Sequence, residues 1–286
     1  MTLPSLLARL ERDHPRTILV LGASDTGKTT VIERLLQQWQ PMDQVAVVDC
    51  DVGQSRLGPP TTIGWGLARR PCAGWSDVPL RGIVFTGAVS PEENVEVLLD
   101  SVSRMAVVAR GAASIVLFDT TGLVEGPAGL ALKRRKIELL RPDLIIALQR
   151  QEELEPILGA IGPVPIQRLA ADPTLPRRSL AQRSTYRSRQ LARYFANASL
   201  HTLSSRSLQL VGLGPEWRGQ AVTTTSLLLA DRLVSLRDGH GEDLALGWVR
   251  EADSAEATIR LLSPLRELGS VQTVSVGSVR WPEPAL

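Results

Sequence analysis

Short apolar runs alternate with longer stretches of helical periodicity along the first two thirds of the chain. Short continuous apolar runs predict buried strands, and apolar positions that recur at helical spacing predict amphipathic helices. The predicted strands are 16–21, 44–48, 83–86, 114–118 and 144–148. The predicted helices are 6–13, 30–39, 91–109, 131–140 and 182–195. This alternation predicts an α/β fold whose mostly parallel sheet is covered by helices on both faces.

The pattern changes at two places. Residues 53–80 are rich in glycine and proline and are predicted to form a loop with short extended pieces. After residue 197 the chain predicts short strands, at 208–211, 221–229, 233–236, 244–249, 257–262 and 271–279, with a hairpin connection at 238–242. We therefore expect a leading helix in 1–15, an α/β domain at 16–197 and a small antiparallel β domain at 198–286. Trp217, Trp248 and Trp281 are expected to pack in that β domain.

Length and composition narrow the class of protein. The chain has 286 residues, enough for one substantial α/β domain and a smaller second one. No apolar run approaches the roughly 20 residues that span a bilayer, and the N-terminus lacks a basic region followed by a long apolar stretch. We expect a cytoplasmic protein with no membrane partner. Cys50 and Cys72 are too few for a disulfide framework, so we expect both to be reduced.

The segment 22–29, G-A-S-D-T-G-K-T, matches the phosphate-binding pattern G-x-x-x-x-G-K-[ST] at every fixed position. It follows a predicted strand and opens a predicted helix, so its backbone N–H groups and the positive end of the helix dipole would face a phosphate. Lys28 would reach the β and γ phosphates of a nucleotide, and the Thr29 hydroxyl would coordinate Mg²⁺. The predicted nucleotide-binding residues are Gly22, Ala23, Ser24, Asp25, Thr26, Gly27, Lys28, Thr29 and Thr30.

Two aspartates follow buried strands at the same predicted edge of the sheet. Asp51 begins the segment D-V-G-Q-S at 51–55, and Asp119 begins D-T-T-G at 119–122. A carboxylate there can hold a metal-bound water or accept the proton of an attacking hydroxyl, and Asp51 can alternatively cap a turn. The spacing leaves open which of the two aspartates holds the metal. The neighbouring residues predicted to contact the substrate are Gln54, Thr120, Thr121 and Gly122.

Arginines are concentrated between residues 167 and 206. This segment contains eight arginines and a single acidic residue, Asp172. Such a cluster predicts a surface that meets phosphate, although a solvated basic face would have the same composition. In a helix over 182–195, Arg183 and Arg187 share one face, and Arg189 and Arg193 share another. The helix is therefore predicted to be a lid, at about 177–195, that closes over a nucleotide and contacts an acceptor.

These segments, in this order, resemble the polynucleotide 5′-hydroxyl kinase family, which includes a subunit of the eukaryotic pre-mRNA cleavage complex and a nucleolar kinase of ribosomal RNA processing. The resemblance rests on the phosphate loop, D-x-G-Q, D-T-x-G and the arginine lid, and covers about 16–195. The chain is similar to a compact prokaryotic member of that family. Where eukaryotic members often carry a tryptophan after D-T-x-G, this chain has Leu123.

The resemblance implies a P-loop fold that transfers the γ phosphate of ATP, with Mg²⁺, to the 5′-hydroxyl of RNA or DNA, in RNA processing or nucleic acid repair. It implies that Lys28 and Thr29 bind phosphate and metal, and that Asp51 activates the hydroxyl. Among Arg187, Arg189 and Arg193, it leaves open which lid arginine acts on the transferred group. Arg183 is expected to contact the substrate.

Four other functions would be compatible with a phosphate loop. A switch GTPase would carry a guanine-reading N-K-x-D segment, whereas the chain has Q-R-Q-E at 149–152. A kinase for a nucleoside or a sugar would use the same aspartate and lid, but its acceptor would not need so many arginines. A non-kinase ATPase and a nucleic-acid-binding module without activity are the remaining alternatives.

Overall fold

Two β-sheets with six α-helices make up the described part of the chain, which in this computed structural model is residues 3–39, 44–69, 71–214, 217 and 229–281. The helices are α1 (Leu3–Asp13), α2 (Lys28–Gln38), α3 (Val95–Ala112), α4 (Gly126–Leu140), α5 (Glu155–Leu158) and α6 (Leu180–Tyr194). The first sheet contains β1 (Thr17–Gly22), β2 (Val45–Cys50), β3 (Thr62–Leu67), β4 (Leu80–Phe85), β5 (Ile115–Thr120), β6 (Leu144–Gln149) and β7 (Ile166–Ala170).

The first sheet has the order β4-β3-β2-β5-β1-β6-β7. Its strands β2, β5, β1, β6 and β7 pair in parallel, while β3 is antiparallel to both neighbours. Side chains of β1 alternate between two apolar cores, one packed against α3 and α4 and the other against α1 and α2. The predicted α/β fold with helices on both faces is confirmed.

Strand β3 is one of the short extended pieces expected within residues 53–80, although its bounds were not predicted. Gly64 and Gly66 lie within it, and glycine weakens a strand on propensity alone. Here other backbone approaches so closely that a Cβ on Gly64 would lie 2.0 Å from the Leu57 carbonyl oxygen, and one on Gly66 would lie 2.3 Å from that of Pro79. The glycines therefore mark close packing, which only the folded chain shows. Strand β7, helix α5 and the strand at Ser199–Ser204 were not predicted.

The second sheet contains β8 (Ser199–Ser204), β9 (Gln209–Gly212), β10 (Arg232–Arg237), β11 (Asp243–Asp253), β12 (Thr258–Ser263) and β13 (Thr273–Arg280). Its order is β8-β12-β11-β10-β13-β9. Residues 238–242 connect β10 to β11 as the predicted hairpin. The expected all-antiparallel pairing is wrong at one edge, where β9 runs parallel to β13. The predicted strand at 221–229 lies outside the described residues except for its last position.

An aromatic cluster joins the two sheets, and we call it the seam. It consists of Ile83, Phe85, Leu191, Phe195, Leu233, Leu246, Trp248 and Trp281, all buried. The backbone N–H of Phe85 also donates to Oδ2 of Asp243 at 3.1 Å. Trp217, Trp248 and Trp281 are all buried, as predicted for packing residues. Cys50 and Cys72 are free thiols. Among the helices of the described residues, none combines the length and the apolar character that a membrane span requires.

Candidate active site

The phosphate loop, 22–29, connects β1 to α2, and its backbone conformation depends on the residue types at particular positions. Gly27 has φ +93° and Asp25 has φ 59°, both in the left-handed region. A Cβ on Gly22 would lie 2.5 Å from Oγ1 of Thr26 and 2.8 Å from the carbonyl oxygen of Leu148. The loop therefore needs glycine at its first fixed position because there is no room for a side chain.

Lys28 is buried at the start of α2, and its Nζ donates to the carbonyl oxygens of Gly22 and Ala23 at 3.0 and 2.9 Å. Burial lowers the pKa of this ammonium group, while the carboxylates of Asp119 and Asp51 raise it. The lysine thus bonds to the carbonyls of the loop, within reach of any anion that the loop would bind.

Asp119 lies at the end of β5, directly beside the phosphate loop. The Thr29 hydroxyl donates to its Oδ2 at 3.2 Å. Burial raises the pKa of Asp119 to about 6; Lys28 lowers it, and Asp51 raises it. A hydroxyl and a carboxylate are hard oxygen donors of the kind that Mg²⁺ takes together with phosphate oxygens. Among the described residues, no group of three acidic, histidine or cysteine side chains forms a protein-only metal site.

Asp49, inside β2, organises the loop that follows the strand. Its Oδ1 accepts from the backbone N–H of Asp51 at 2.9 Å. Its Oδ2 accepts from the Ser55 hydroxyl and from the backbone N–H groups of Arg56 and Leu57 at 3.1, 2.5 and 2.9 Å. Burial and the neighbouring carboxylates raise the pKa of Asp49 to about 7. This side chain holds the loop 51–57 in shape rather than facing the cavity.

Asp51 both caps a turn and lines the cavity. Its Oδ1 accepts from the backbone N–H groups of Gly53 and Gln54 at 3.1 and 3.0 Å. The same side chain lines a cavity together with Lys28 and Thr29. The turn-capping and the chemical interpretations are therefore compatible, because the cap uses one carboxylate oxygen and orients the other.

The predicted lid begins at a capping box before α6, in which the Ser179 hydroxyl accepts from the Gln182 N–H and the Gln182 side chain accepts from the Ser179 N–H. Contacts to the loop 51–57 hold the middle of the helix. The Tyr186 hydroxyl donates to the Ser55 carbonyl at 2.8 Å, and Nε2 of Gln190 donates to the same oxygen at 3.4 Å. The helix is therefore attached to the loop that carries Asp51.

Two arginines of the lid region reach the phosphate loop. Nη2 of Arg183 donates to Oδ2 of Asp25 in an ion pair, and the same oxygen accepts from the backbone N–H of Arg178 at 3.0 Å. Both arginines line the cavity that contains Lys28. The Asp25 carboxylate is thus paired with the guanidinium of Arg183, which an incoming phosphate would also attract.

The other three predicted lid arginines lie elsewhere on α6. Arg187 is half-buried, and burial together with Arg183 lowers the pKa of its guanidinium. Arg189 and Arg193 are exposed and do not line the cavity with Lys28. Arg189 instead lines a separate groove beside Tyr186.

Two cavities border the phosphate loop, and a third adjoins them through Arg178. The first, of about 180 Å³, is lined by Ser24, Asp25, Gly27, Lys28, Thr29, Thr30, Asp51, Gln54, Arg56, Gly122, Leu175, Pro176, Arg178 and Arg183. The second, of about 610 Å³, lies between 122–125 and 150–153 and includes Ala23. The third, of about 510 Å³, is the groove beside Tyr186. Arg178 lines all three, so it stands where they meet.

The segment 119–122 meets the phosphate loop at its glycine. A Cβ on Gly122 would lie 2.2 Å from Oγ of Ser24. The predicted substrate-contacting threonines are buried, and each side chain bonds to the protein: the Thr120 hydroxyl donates to the Val20 carbonyl at 2.8 Å, and Oγ1 of Thr121 accepts from Nζ of Lys133 at 3.1 Å. Gly122 and Gln54, by contrast, line the first cavity.

Sequence reasoning did not select several residues of this site. Arg178 belonged to the basic cluster, but nothing distinguished it from its neighbours. Arg56 lines the first cavity and lies over the Tyr186 ring at 5.6 Å. Nη2 of Arg150 donates to the carbonyl oxygen of Asp25 in the phosphate loop at 2.6 Å. Arg150 directly follows β6, and no sequence motif surrounds it. No local signal identifies these residues, because tertiary packing brings them to the loop.

Comparison with known proteins agrees with this architecture. The family model described as mRNA cleavage and polyadenylation factor CLP1 P-loop matches residues 22–197. The chain is 32% identical to a polyribonucleotide 5′-hydroxyl-kinase of Pyrococcus furiosus, covering 96% of this chain and 90% of that one. It is 28% identical to the enzyme of that name in Thermococcus kodakarensis, covering 95% and 90%.

A solved structure of a Clp1p–Pcf11p complex shares the fold, with a TM-score of 0.76 and 14% identity over 99% of this chain and 79% of that one. That likeness extends beyond the phosphate loop to the second sheet, because nearly the whole chain is superposed. The family model covers the strands, loops and lid that form the three cavities. The chain belongs to the CLP1 P-loop family.

Proposed function

We infer that this protein is a polynucleotide 5′-hydroxyl kinase, which transfers the γ phosphate of ATP to the 5′-hydroxyl end of RNA or DNA. Its family and the names of its relatives support this activity. The observation that carries the proposal is that one cavity unites a phosphate-loop lysine, a carboxylate on a neighbouring loop and three arginines. Phosphoryl transfer needs mainly that arrangement of positioning and charge.

In this mechanism the 5′-hydroxyl oxygen of the acceptor forms a bond to the γ phosphorus as the bond from that phosphorus to the β–γ bridging oxygen breaks. The proton of the hydroxyl passes to Asp51, whose Oδ1 is held by two backbone N–H groups. Oδ2 of Asp51 has no hydrogen bond within the described residues. We therefore assign the proton to this oxygen. The products are ADP and a 5′-phosphorylated end.

Lys28 and Arg183 would stabilise the negative charge on the transferred group, and each would give up a hydrogen bond within the protein to do so. Lys28 would exchange the carbonyl oxygens of Gly22 and Ala23 for β and γ phosphate oxygens. Arg183 would exchange the carboxylate of Asp25 for the same phosphate. The exchange is favourable because the phosphate carries more negative charge than either present partner.

Thr29 and Asp119 are the residues that would hold Mg²⁺. When bound with ATP, the ion neutralises negative charge on the phosphates. The Thr29–Asp119 contact keeps both oxygens on one side of the loop, where phosphate oxygens would complete the ligand set.

We propose that Arg178 and Arg183 face the transferred phosphate, rather than Arg189 or Arg193. Arg178 and Arg183 line the cavity with Lys28, whereas Arg189 and Arg193 do not. Arg187 is intermediate, because it is half-buried and beside Arg183. Arg189 and Arg193 then belong to the outer surface of the lid, where an acceptor strand of several phosphates would lie. Such an acceptor would suit a role in RNA processing or nucleic acid repair, and we propose that the protein acts in the cytoplasm.

The test is transfer of labelled γ phosphate from ATP to 5′-hydroxyl RNA and DNA oligonucleotides and to a panel of nucleosides. Asp51→Asn should lower transfer about 10²- to 10⁴-fold, as expected for loss of a general base. Asp238→Asn is the matched control, because Asp238 also accepts two backbone N–H bonds in a turn, at 2.9 and 3.0 Å, in the hairpin 238–242.

The outcomes separate the alternatives. Label on oligonucleotide ends that is lost only in Asp51→Asn supports the proposal. Label on nucleosides alone would replace it with a small-molecule kinase. Hydrolysis of ATP with no labelled acceptor would instead indicate a non-kinase ATPase.

A further inference from the structure

All three lysines of the chain are buried, although arginine is abundant at the surface. Lys28 belongs to the phosphate loop. Lys133 and Lys136 are completely buried within α4, three residues apart. A buried ammonium group is costly unless it has hydrogen-bond partners, so its contacts show whether the chain uses it.

The two lysines of α4 differ in those contacts. Nζ of Lys133 donates to the carbonyl oxygen of Thr121 and, at 3.1 Å, to its Oγ1. Nζ of Lys136 has no hydrogen-bond partner within the described residues. Lys133 therefore bonds to the segment that follows β5, and Lys136 does not.

That segment lies between α4 and the phosphate loop. On one side Gly122 is so close to Ser24 that a Cβ would lie 2.6 Å from the Ser24 backbone nitrogen. On the other side a Cβ on Gly129 of α4 would lie 2.8 Å from the carbonyl carbon of Val124. Because backbone contacts backbone on both sides, a shift of Thr121 would move Gly122 against the phosphate loop.

We propose that Lys133 is a positioning residue for phosphoryl transfer, which holds the Thr121 carbonyl and so sets the distance between Gly122 and the phosphate loop. This assignment rests on the proposed kinase function. Lys133 does not line the cavity and acts through the backbone that does. A displacement of about 1 Å in such a frame costs on the order of a hundredfold in rate.

Burial, with Lys136 and Lys28 nearby, lowers the pKa of Lys133 well below its usual range. Both the charged and the neutral amine carry N–H donors, so the bonds to Thr121 persist in either state. The positioning therefore requires the amine and not its charge.

The experiment compares Lys133→Met with Lys136→Met in the full chain. Both changes replace a fully buried lysine of α4 by an apolar side chain of similar length. For Lys133→Met we expect kcat to fall about tenfold to a hundredfold, with the KM for ATP and for the oligonucleotide nearly unchanged. For Lys136→Met we expect kcat within about twofold of the original chain, because no hydrogen bond is lost.

Hydrogen exchange of the amides at 121–125 is the second measurement, and it does not depend on activity. It should become faster in Lys133→Met alone. If Lys133→Met does not fold, Thr121→Val removes the hydroxyl contact alone, and it should give a smaller loss of kcat with a smaller acceleration of exchange.

Three results would overturn the assignment: unchanged kcat and exchange in Lys133→Met, equal loss in both lysine variants, or unchanged kcat and exchange in Thr121→Val when that variant has to be used. If the unmodified chain labels no oligonucleotide, the kinase function fails instead. Exchange at 121–125 would then still show whether Lys133 holds this segment.

Discussion

We call the site at the carboxyl ends of β1, β2 and β5 the rim. The rim and the seam both bury side chains, but the buried side chains differ in polarity. The rim buries ionisable groups that are hydrogen-bonded, namely Lys28, Asp49, Asp119 and Lys133. The seam buries aromatic rings and aliphatic side chains. Burying charge opposes folding unless each group is bonded, whereas burying apolar area favours it. The rim is therefore organised for chemistry and the seam for stability.

Helix α6 belongs to both regions. Its first half carries Arg183 and Tyr186 to the rim. Its last residues, with Leu191 and the following Phe195, pack into the seam, where the rings of Phe195 and Trp281 stack with centroids 5.8 Å apart. The seam thus sets the position from which the lid arginines reach the phosphate loop. The comparison indicates that stability in one region supports geometry in the other.

The largest expected effect is on the stability of the seam. Trp248 is buried, with its ring 4.5 Å from that of Trp281. Trp248→Ala should lower the free energy of unfolding by about 3 to 5 kcal/mol, measured by urea denaturation. Leu200→Ala, at a leucine that is 51% exposed in the same sheet, is the control and should cost much less. Equal losses of unfolding free energy in the two variants would show that the seam does not contribute more to stability than the exposed part of the sheet.

The next effect sharpens the description of the rim. Gly122→Ala introduces a Cβ that would lie 2.6 Å from the backbone nitrogen of Ser24, so the two loops must separate. We expect phosphate transfer to fall on the order of a hundredfold while the fold is retained. Gly111→Ala in α3 meets nothing within 4 Å and should raise stability by about 0.4 to 1 kcal/mol. Full activity in Gly122→Ala would mean that the rim tolerates a change of spacing.

The smallest effect is a pH dependence that belongs to the seam. Burial raises the pKa of Tyr194 to about 12, from an ordinary value of 10.0. Because the folded-state pKa is the higher one, this contribution to stability is complete below about pH 10 and is lost as pH rises through about 12. The full loss would be about 2 to 3 kcal/mol.

Tyr194→Phe isolates that contribution. The variant loses the oxygen that accepts from the backbone N–H of Leu246 at 2.9 Å, so it should be about 1 kcal/mol less stable at neutral pH. Between pH 10 and 12 its stability should fall less steeply than that of the original chain. Burial also raises the pKa of Cys50 to about 12, and that slope remains in both proteins. Identical slopes would exclude Tyr194 as the source.

The alternation of apolar runs predicted most of the first sheet and its helices, since each element buries side chains at its own period. It placed short extended pieces in 53–80 without giving the bounds of β3, because Gly64 and Gly66 lower strand propensity while permitting close backbone packing. It also missed the parallel pairing of β9 with β13, because short strands of similar pattern do not specify their partners.

The phosphate loop could be predicted from the sequence because its donors, its glycines and Lys28 lie within eight consecutive residues. The positions of Asp51 and Asp119 at the rim followed as well, since parallel strands end at one edge. Helical spacing showed which lid arginines share a face, but not which face meets the cavity. That choice depends on the seam and on the contact of Tyr186 with Ser55. Likewise, only packing separates Lys133 from Lys136, because hydrogen bonds between distant segments leave no periodic trace in a sequence.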